Sequence, residues 1–305
     1  MKMFAPKYVK NFKCIAERCQ HSCCVGWEID IDMETLRRYQ AKPDKRIMTT
    51  VEKGESGELW HFRLGSDSRC ANLTKEGLCR IICEHGEDYI PEICREHPRF
   101  YNRTRRGIEA GIGMSCEEAC RIILTSDEYE IVPYKDAEIN EDNSPDFDSP
   151  AEIDRIYGIL SKRSISYEER LSKIFELYEI PQSILANRKL WNEVFSSLEY
   201  LHESHERLFQ KYDFRGNEND AHAILLERAL AYFIYRHASP ADSPQDFKPR
   251  LILALLFERL YASLLSSEEN LTDDIAQELA RVISEELEYS EFNTETLLFE
   301  IEFLL

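Results

Sequence analysis

No stretch of this 305-residue chain approaches the roughly 18 consecutive apolar residues of a membrane-spanning helix. The longest apolar block, Leu251 to Phe257, is far shorter. An excess of positive charge is missing too. Lys and Arg number 38 against 57 Asp and Glu, a formal net charge of −19. That balance argues against a nucleic-acid binder working by phosphate neutralisation and against a helix lying on anionic lipid. The N-terminus, Met1-Lys2-Met3-Phe4-Ala5-Pro6-Lys7, lacks the apolar run and small-residue cleavage site of a secretory signal. The expectation is a soluble, cytoplasmic protein with no nucleic-acid and no membrane partner. A hydrophobic content of 43% excludes a disordered or collagen-like chain. At roughly 150 residues per domain the length suggests two domains.

Cysteine is missing after residue 120. All ten cysteines (Cys14, Cys19, Cys23, Cys24, Cys70, Cys79, Cys83, Cys94, Cys116 and Cys120) precede that point. In a reducing cytosol a dense local set of thiols reads as metal-binding or catalytic, not as a disulfide framework. Paired C-x2-C knuckles of zinc ribbons are absent. A radical S-adenosylmethionine signature, C-x3-C-x2-C, begins at Cys19 and Cys23 but meets Gly26 at its third position, and no bacterial-ferredoxin run is present. What is present is Cys14-x4-Cys19-x3-Cys23-Cys24, then Cys70-x8-Cys79, then Cys94, then Ser115-Cys116-Glu117-Glu118-Ala119-Cys120. Loops between such thiolates let the sulfurs turn inward on one centre, and soft thiolate sites favour zinc or iron–sulfur clusters over hard cations. Ordinary packing explains one or two free cysteines as small buried hydrophobes, and Cys83 and Cys120 are read that way.

The first 125 residues are mixed and irregular. Trp27 to Ile31 alternates as a half-buried strand would, and Asp32 is an N-cap for a helix through Leu36 to Gln40. Leu59 to Leu64 and Gly107 to Met114 are further strand candidates; Cys79 to His85 and Cys116 to Thr125 read as short helices. Residues 126–150, acidic and ending in Asn143-Ser144-Pro145 and Ser149-Pro150, read as a loose linker. From 151 to 305 the spacing is helical. Amphipathic stretches run over Arg188 to Lys211, Asp220 to His237, Pro249 to Ser266, Thr272 to Leu287 and Thr294 onward, which predicts six or seven helices in a bundle. The expected fold is α+β and predominantly α-helical: a small cysteine-rich metal or cluster domain (1–125), the acidic linker (126–150) and a helical domain (151–305).

The cysteine run of Cys14 to Cys24, Gly77-Leu78-Cys79 and Pro91-x2-Cys94-x3-Pro98 resembles the YkgJ-type zinc- or iron-chelating domain. Gly26-Trp27, Gly86-Glu87, His97-Pro98-Arg99 and Ser115-Cys116-Glu117-Glu118 make the chain more similar to the FliB-type flagellin lysine-N-methylases. The motifs cover about residues 10 to 125; over the helical half the likeness is one of length and character. The resemblance implies a [4Fe–4S] cluster, with zinc as the alternative, and methyl transfer from S-adenosylmethionine to lysines of flagellin as protein partner. Carried over by position, the candidate metal ligands are Cys14, Cys19, Cys23, Cys24, Cys79, Cys94 and Cys116, with Cys70 matching the chelating-domain pattern. That exceeds four, so either some lie outside the centre or there are two sites.

Methyl transfer needs a sulfonium donor and a neutral amine, and lysine with a pKa near 10.4 must lose a proton to a base or to desolvation. Asp, Glu and Tyr are too plentiful for the sequence to choose a base. The usual glycine-rich donor loop is not evident. Gly107 to Gly113 reads better as a tight strand than as a cofactor loop, so the cluster region itself is a place for the donor, because an exposed iron can chelate an amino-carboxylate. Arg95, Arg99, Arg103, Arg105 and Arg106 form a strip suited to a carboxylate or to pairing with the acidic linker. His21 and His97 flank cysteines, whereas His202 and His205 read as surface residues. Two readings from other classes stand beside the enzyme: a non-catalytic metal-binding or redox-sensing module whose helical half recruits a partner, and a structural zinc protein.

Overall fold

The computed structural model describes residues 2–54, 59–136, 144–214 and 222–305. The chain divides into two compact units. One comprises Met1–Phe12, Tyr101–Ser115 and Ala119–Leu305; the other comprises Lys13–Phe100 with Cys116–Glu118. The protein is α+β and predominantly helical, as expected from the sequence. The boundary expected near residue 125 falls inside the helical unit, because sheet pairing recruits three segments that the cysteine distribution does not mark.

Those segments are β1 (Lys2–Pro6), β6 (Ile108–Ile112) and β7 (Ile131–Asp136), which with β5 (Arg99–Arg103) form a four-stranded sheet in the order β5-β6-β1-β7. β1 runs parallel to β6, pairing Met3 with Ile108, and antiparallel to β7. Part of the expected linker is therefore a sheet strand, since Ile131, Val132 and Tyr134 supply β-forming side chains amid the acidic residues. Glu138, Glu141, Asp142 and Asn143 lie outside the described residues. Two residues of the arginine strip engage residues 146–154: Arg105 donates to the Asp146 carbonyl at 2.9 Å, and Arg106 pairs with Asp154 at 2.5 Å.

The glycines before Cys116 serve packing. Gly107 has φ +146°, and a Cβ there would stand 2.3 Å from the Lys2 carbonyl oxygen of the neighbouring strand. Gly107→Ala is therefore expected to destabilise the helical unit by about 2–3 kcal/mol through combined backbone strain and overpacking, read as a lower urea midpoint.

Nine α-helices follow among the described residues: Ser149–Leu160, Tyr167–Leu177, Gln182–Ala186, Arg188–Phe195, Glu203–Phe209, Ala223–His237, Pro244–Ser266, Asp273–Ile283 and Glu291–Leu304. Six or seven were expected. The stretch from Arg188 to Lys211 is two helices, because the Tyr200 hydroxyl donates to the Phe195 carbonyl and the buried Glu286 carboxylate accepts from the Leu201 and His202 amides. Asp220, expected to open the next helix, lies outside the described residues. Local signals are plain elsewhere. Ser166 and Glu169 form a reciprocal capping box. Leu251 to Leu265 is buried on every face, which marks Pro244–Ser266 as the central helix of the bundle.

A π-turn, Ser284–Glu288, follows Asp273–Ile283 and turns carboxylates inward. Glu286 pairs with His205 Nδ1 at 2.5 Å, so His205 is a half-buried partner of a distant acid and not the surface residue expected, whereas His202 is exposed. Glu288 accepts from the Tyr232 hydroxyl at 2.8 Å and lies 2.7 Å from His237 Nε2. Burial lowers the basicity of His237, so it donates to that carboxylate as a neutral imidazole. In the unfolded chain His237 takes up a proton below its ordinary pKa of about 6.5, and the folded chain resists this. Stability from this group is thus present above that pH and falls below it, with a slope of at most about 1.4 kcal/mol per pH unit. Urea titrations across acidic pH should show the slope, and His237→Gln should flatten it.

The cysteine-rich unit has short elements: β2 (Ile29–Ile31), α1 (Met33–Ala41), α2 (Lys45–Met48), β3 (Val51–Lys53), β4 (Trp60–Phe62), α3 (Arg80–His85) and α4 (Glu92–Glu96). The strands form an antiparallel sheet in the order β2-β4-β3. As expected, Asp32 caps α1, accepting from the Thr35 amide at 2.8 Å. The core is small: Ile29, Ile31, Leu36, Tyr39, Ile47, Phe62, Cys70, Ile81 and Ile90. No described helix anywhere in the chain is long and apolar enough to cross a membrane.

Candidate metal centre

Nine of the ten cysteines lie in the cysteine-rich unit, and all eight candidate ligands are among them. Every cysteine is a free thiol. The exception to the gathering is Cys120, which is buried in the helical unit and donates to the Gln277 carbonyl at 3.3 Å, the core role expected of it. Cys83, expected to be buried too, is exposed. The reason is geometric: α3 is six residues long and turns Ile81 onto the core, and a residue two positions on points about 200° away around the helix.

Four candidates pack into the core. Cys70 is one of its buried members, and Cys24, Cys79 and Cys94 pack against it. Backbone pairing fixes them. The Cys70 amide donates to the Cys24 carbonyl at 2.8 Å, Leu73 donates to the Cys70 carbonyl at 2.9 Å, and Leu73 bridges to Cys79. Cys79 sits at the N-cap of α3, and Cys94 is carried by α4. The Cys94 thiol feels Cys24, Cys79 and Cys70, and burial raises its pKa. Burial likewise pushes Cys70 up to about 11 and raises Cys79.

The other four lie on the N-terminal loop and at residue 116. Cys14 and Cys19 bracket a single 3-10 turn, Ala16–Arg18: the Ala16 amide donates to Cys14 Sγ at 3.4 Å, and the Cys19 amide donates to the Ala16 carbonyl at 3.0 Å. Glu117 ties the segment of residue 116 to this loop. Its carboxylate accepts from the Gln20 amide at 2.7 Å, the His21 amide at 3.1 Å and the Cys19 thiol at 3.6 Å. Burial, aided by the Glu117 charge and by Cys116, pushes Cys19 up to about 12. Cys23 joins the two groups. The interaction with Cys24 holds Cys23 above and Cys24 below the ordinary thiol range, and burial and the nearby Cys116 and Cys94 add to the rise at Cys23. The sequence motif contained Glu117, but nothing in its spacing announced that it anchors the loop.

This donor set fits a soft metal or an iron–sulfur cluster. The thiols are free and partly desolvated and raise one another's pKa, so their thiolate forms repel one another until a cation replaces their protons. Two groups bring three ligating atoms within 4.8 Å of one another among the described residues, Asp44, Glu84 and His85, and His205, Glu285 and Glu286; no three cysteine sulfurs come that close. Arginines already balance both. Arg46 pairs with Asp44 and Glu84, and Arg281 pairs with Glu285 at 2.8 Å. His21 is exposed and His97 half-buried, with burial lowering the pKa of His97 to about 4.

No family model and no solved structure matches the chain. Among curated proteins, it is similar to a Lysine-N-methylase of Salmonella choleraesuis (strain SC-B67), 26% identical over 126 residues, which is 39% of this chain and 31% of that protein. A Lysine-N-methylase of Salmonella typhimurium (strain LT2) matches to the same extent. The Flagellar biosynthetic protein FliU of Salmonella muenchen is also 26% identical over 126 residues, covering 75% of its length. The match spans about a third of the two lysine-N-methylases. Over about two fifths of its length, therefore, the chain is similar to proteins of the FliB type.

Proposed function

We propose that the protein is a lysine N-methyltransferase that modifies flagellin, using S-adenosylmethionine and an iron–sulfur cluster held by the cysteine-rich unit. The observation that carries this reading is the gathering of all eight motif cysteines into one compact unit, in a chain similar to proteins named Lysine-N-methylase and FliU. Cys24, Cys70, Cys79 and Cys94 would hold a cluster against the apolar core, and the Glu117-anchored loop would present Cys14, Cys19 and Cys116 to solvent. A bound cluster supplies iron able to chelate the donor's amino-carboxylate. The acidic chain, at −19, favours approach of a lysine-bearing surface by electrostatic steering.

The test is methyl transfer from labelled S-adenosylmethionine to purified flagellin by anaerobically prepared protein. Label on flagellin lysines, lost in Cys94→Ser and Cys116→Ser, is the expected result. A cluster-loaded protein that leaves flagellin unlabelled contradicts the assignment.

A further inference from the structure

We propose that the outer face of the last helix, Glu291–Leu304, is a docking surface for an amphipathic helix of a partner protein that carries lysine or arginine beside its apolar stripe. The proposal deepens the function proposed above, because such a segment is the kind of substrate a lysine-modifying protein would hold. Only that identification as substrate rests on the function; the surface itself does not.

The face is apolar where a surface helix is ordinarily polar. Phe292, Phe299 and Phe303 are 50%, 67% and 81% exposed, and the other twelve of the fifteen phenylalanines are buried or half-buried. At the rotation of an α-helix the three fall within about 40° of one another and run about 16 Å along the axis. The helix packs on Pro244–Ser266 and buries Asn293, Leu297 and Ile301. That buried side lies about 140° round the axis from the phenylalanines. A single exposed apolar residue needs no explanation, but three large ones in one stripe mark a contact surface. Their spacing of seven and then four residues is that of the anchors with which one helix meets another.

Charge selects the occupant. Glu291, Glu295 and Glu302 are exposed and Glu300 is half-buried. By the same rotation Glu295 and Glu302 rim one side of the stripe and Glu300 the other. Among the described residues none of the four carboxylates is in an ion pair. No Lys or Arg follows Arg281 in the sequence. A second copy of the chain would set one glutamate rim against another, and an anionic lipid surface would be repelled. A partner with apolar anchors and a basic rim satisfies both the stripe and its edges.

The experiment titrates the full chain, by calorimetry, with a Leu/Lys peptide of about 20 residues whose leucines follow helical spacing. An Ala/Lys peptide of the same charge and a Leu/Glu peptide of the same pattern are the controls. The Leu/Lys peptide should bind about ten-fold or more tightly than either control, and weaken as salt rises from about 50 to about 500 mM. The double variant Phe299→Ser with Phe303→Ser should lose about ten-fold in affinity with its circular dichroism unchanged, since both side chains are exposed. Its net charge is that of the wild type, so diffuse attraction to an acidic chain would survive it. Should the double variant not fold, Phe303→Ser alone, in the last turn, should still lose about three-fold. Glu295→Gln with Glu302→Gln should flatten the salt dependence. Equal binding by the phenylalanine variants overturns the proposal. So does self-association, or binding to phosphatidylcholine vesicles, that depends on the phenylalanines and takes the place of peptide binding. Peptide binding without methyl transfer to flagellin leaves the docking surface standing and removes the function; methyl transfer without peptide binding does the reverse.

Discussion

Removing metal from the intact protein is expected to unfold the cysteine-rich unit while the helical unit stays folded. The two units differ in what holds them together. The helical unit buries a long central helix and its neighbours, Leu251 to Leu265 among them. The cysteine-rich unit has a core of nine residues, strands of three residues and helices of four to nine. Units with so little apolar burial depend on staples, and a structural metal on thiolates supplies free energies of about 10–16 kcal/mol at neutral pH. Calorimetry of loaded protein should therefore show a transition of the cysteine-rich unit that falls by about 20 °C or more after chelation, or disappears, beside a second transition that does not move. Proteolysis of the stripped protein should cut within residues 13–100 first. Equal melting with and without metal would mean that the thiols are not a structural centre.

The second large effect is expected at Glu227. This carboxylate is fully buried on Ala223–His237 and is held by Arg170 at 2.5 Å, by Arg163 at 2.9 Å and by the Tyr129 hydroxyl at 3.1 Å. Arg170, on Tyr167–Leu177, is 3% exposed and also donates to the Leu160 carbonyl. Glu227→Ala strands that guanidinium without its counter-charge, at an expected cost of about 3–5 kcal/mol. Arg163 is 42% exposed, so Arg163→Ala should cost under about 1 kcal/mol. The double change Glu227→Leu with Arg170→Met, which removes both charges, should recover most of the loss. Urea unfolding of the three variants gives the comparison, and a Glu227→Ala protein as stable as the wild type would show that the pair is not buried in solution.

Much of the site could be read in the sequence because its signals are local. Asp32 before a helical pattern, the alternation of Trp27 to Ile31 and the confinement of thiols before residue 121 each depend on near neighbours, and each reappears in the structure. What escaped depends on long-range pairing. Nothing in Lys2 to Pro6 shows that it joins residues 108–112 and 131–136 in one sheet, and that pairing carries residues 101–115 out of the cysteine-rich unit. The acidic residues around Ile131–Asp136 masked a strand in the expected linker. His205 looked like a surface residue because its partner, Glu286, is 81 positions away on a π-turn. Cys83 looked like core by residue type, and a short helix faces it outward.

The measurement that bears most directly on the account is X-ray absorption at the iron and zinc edges of anaerobically purified full-length protein. Thiolates drawn from residues 14 to 116 onto metal predict a first shell of sulfur alone, at about 2.3 Å, that loses scatterers in Cys70→Ser and Cys116→Ser. A first shell of oxygen and nitrogen, unchanged in those variants, would contradict it.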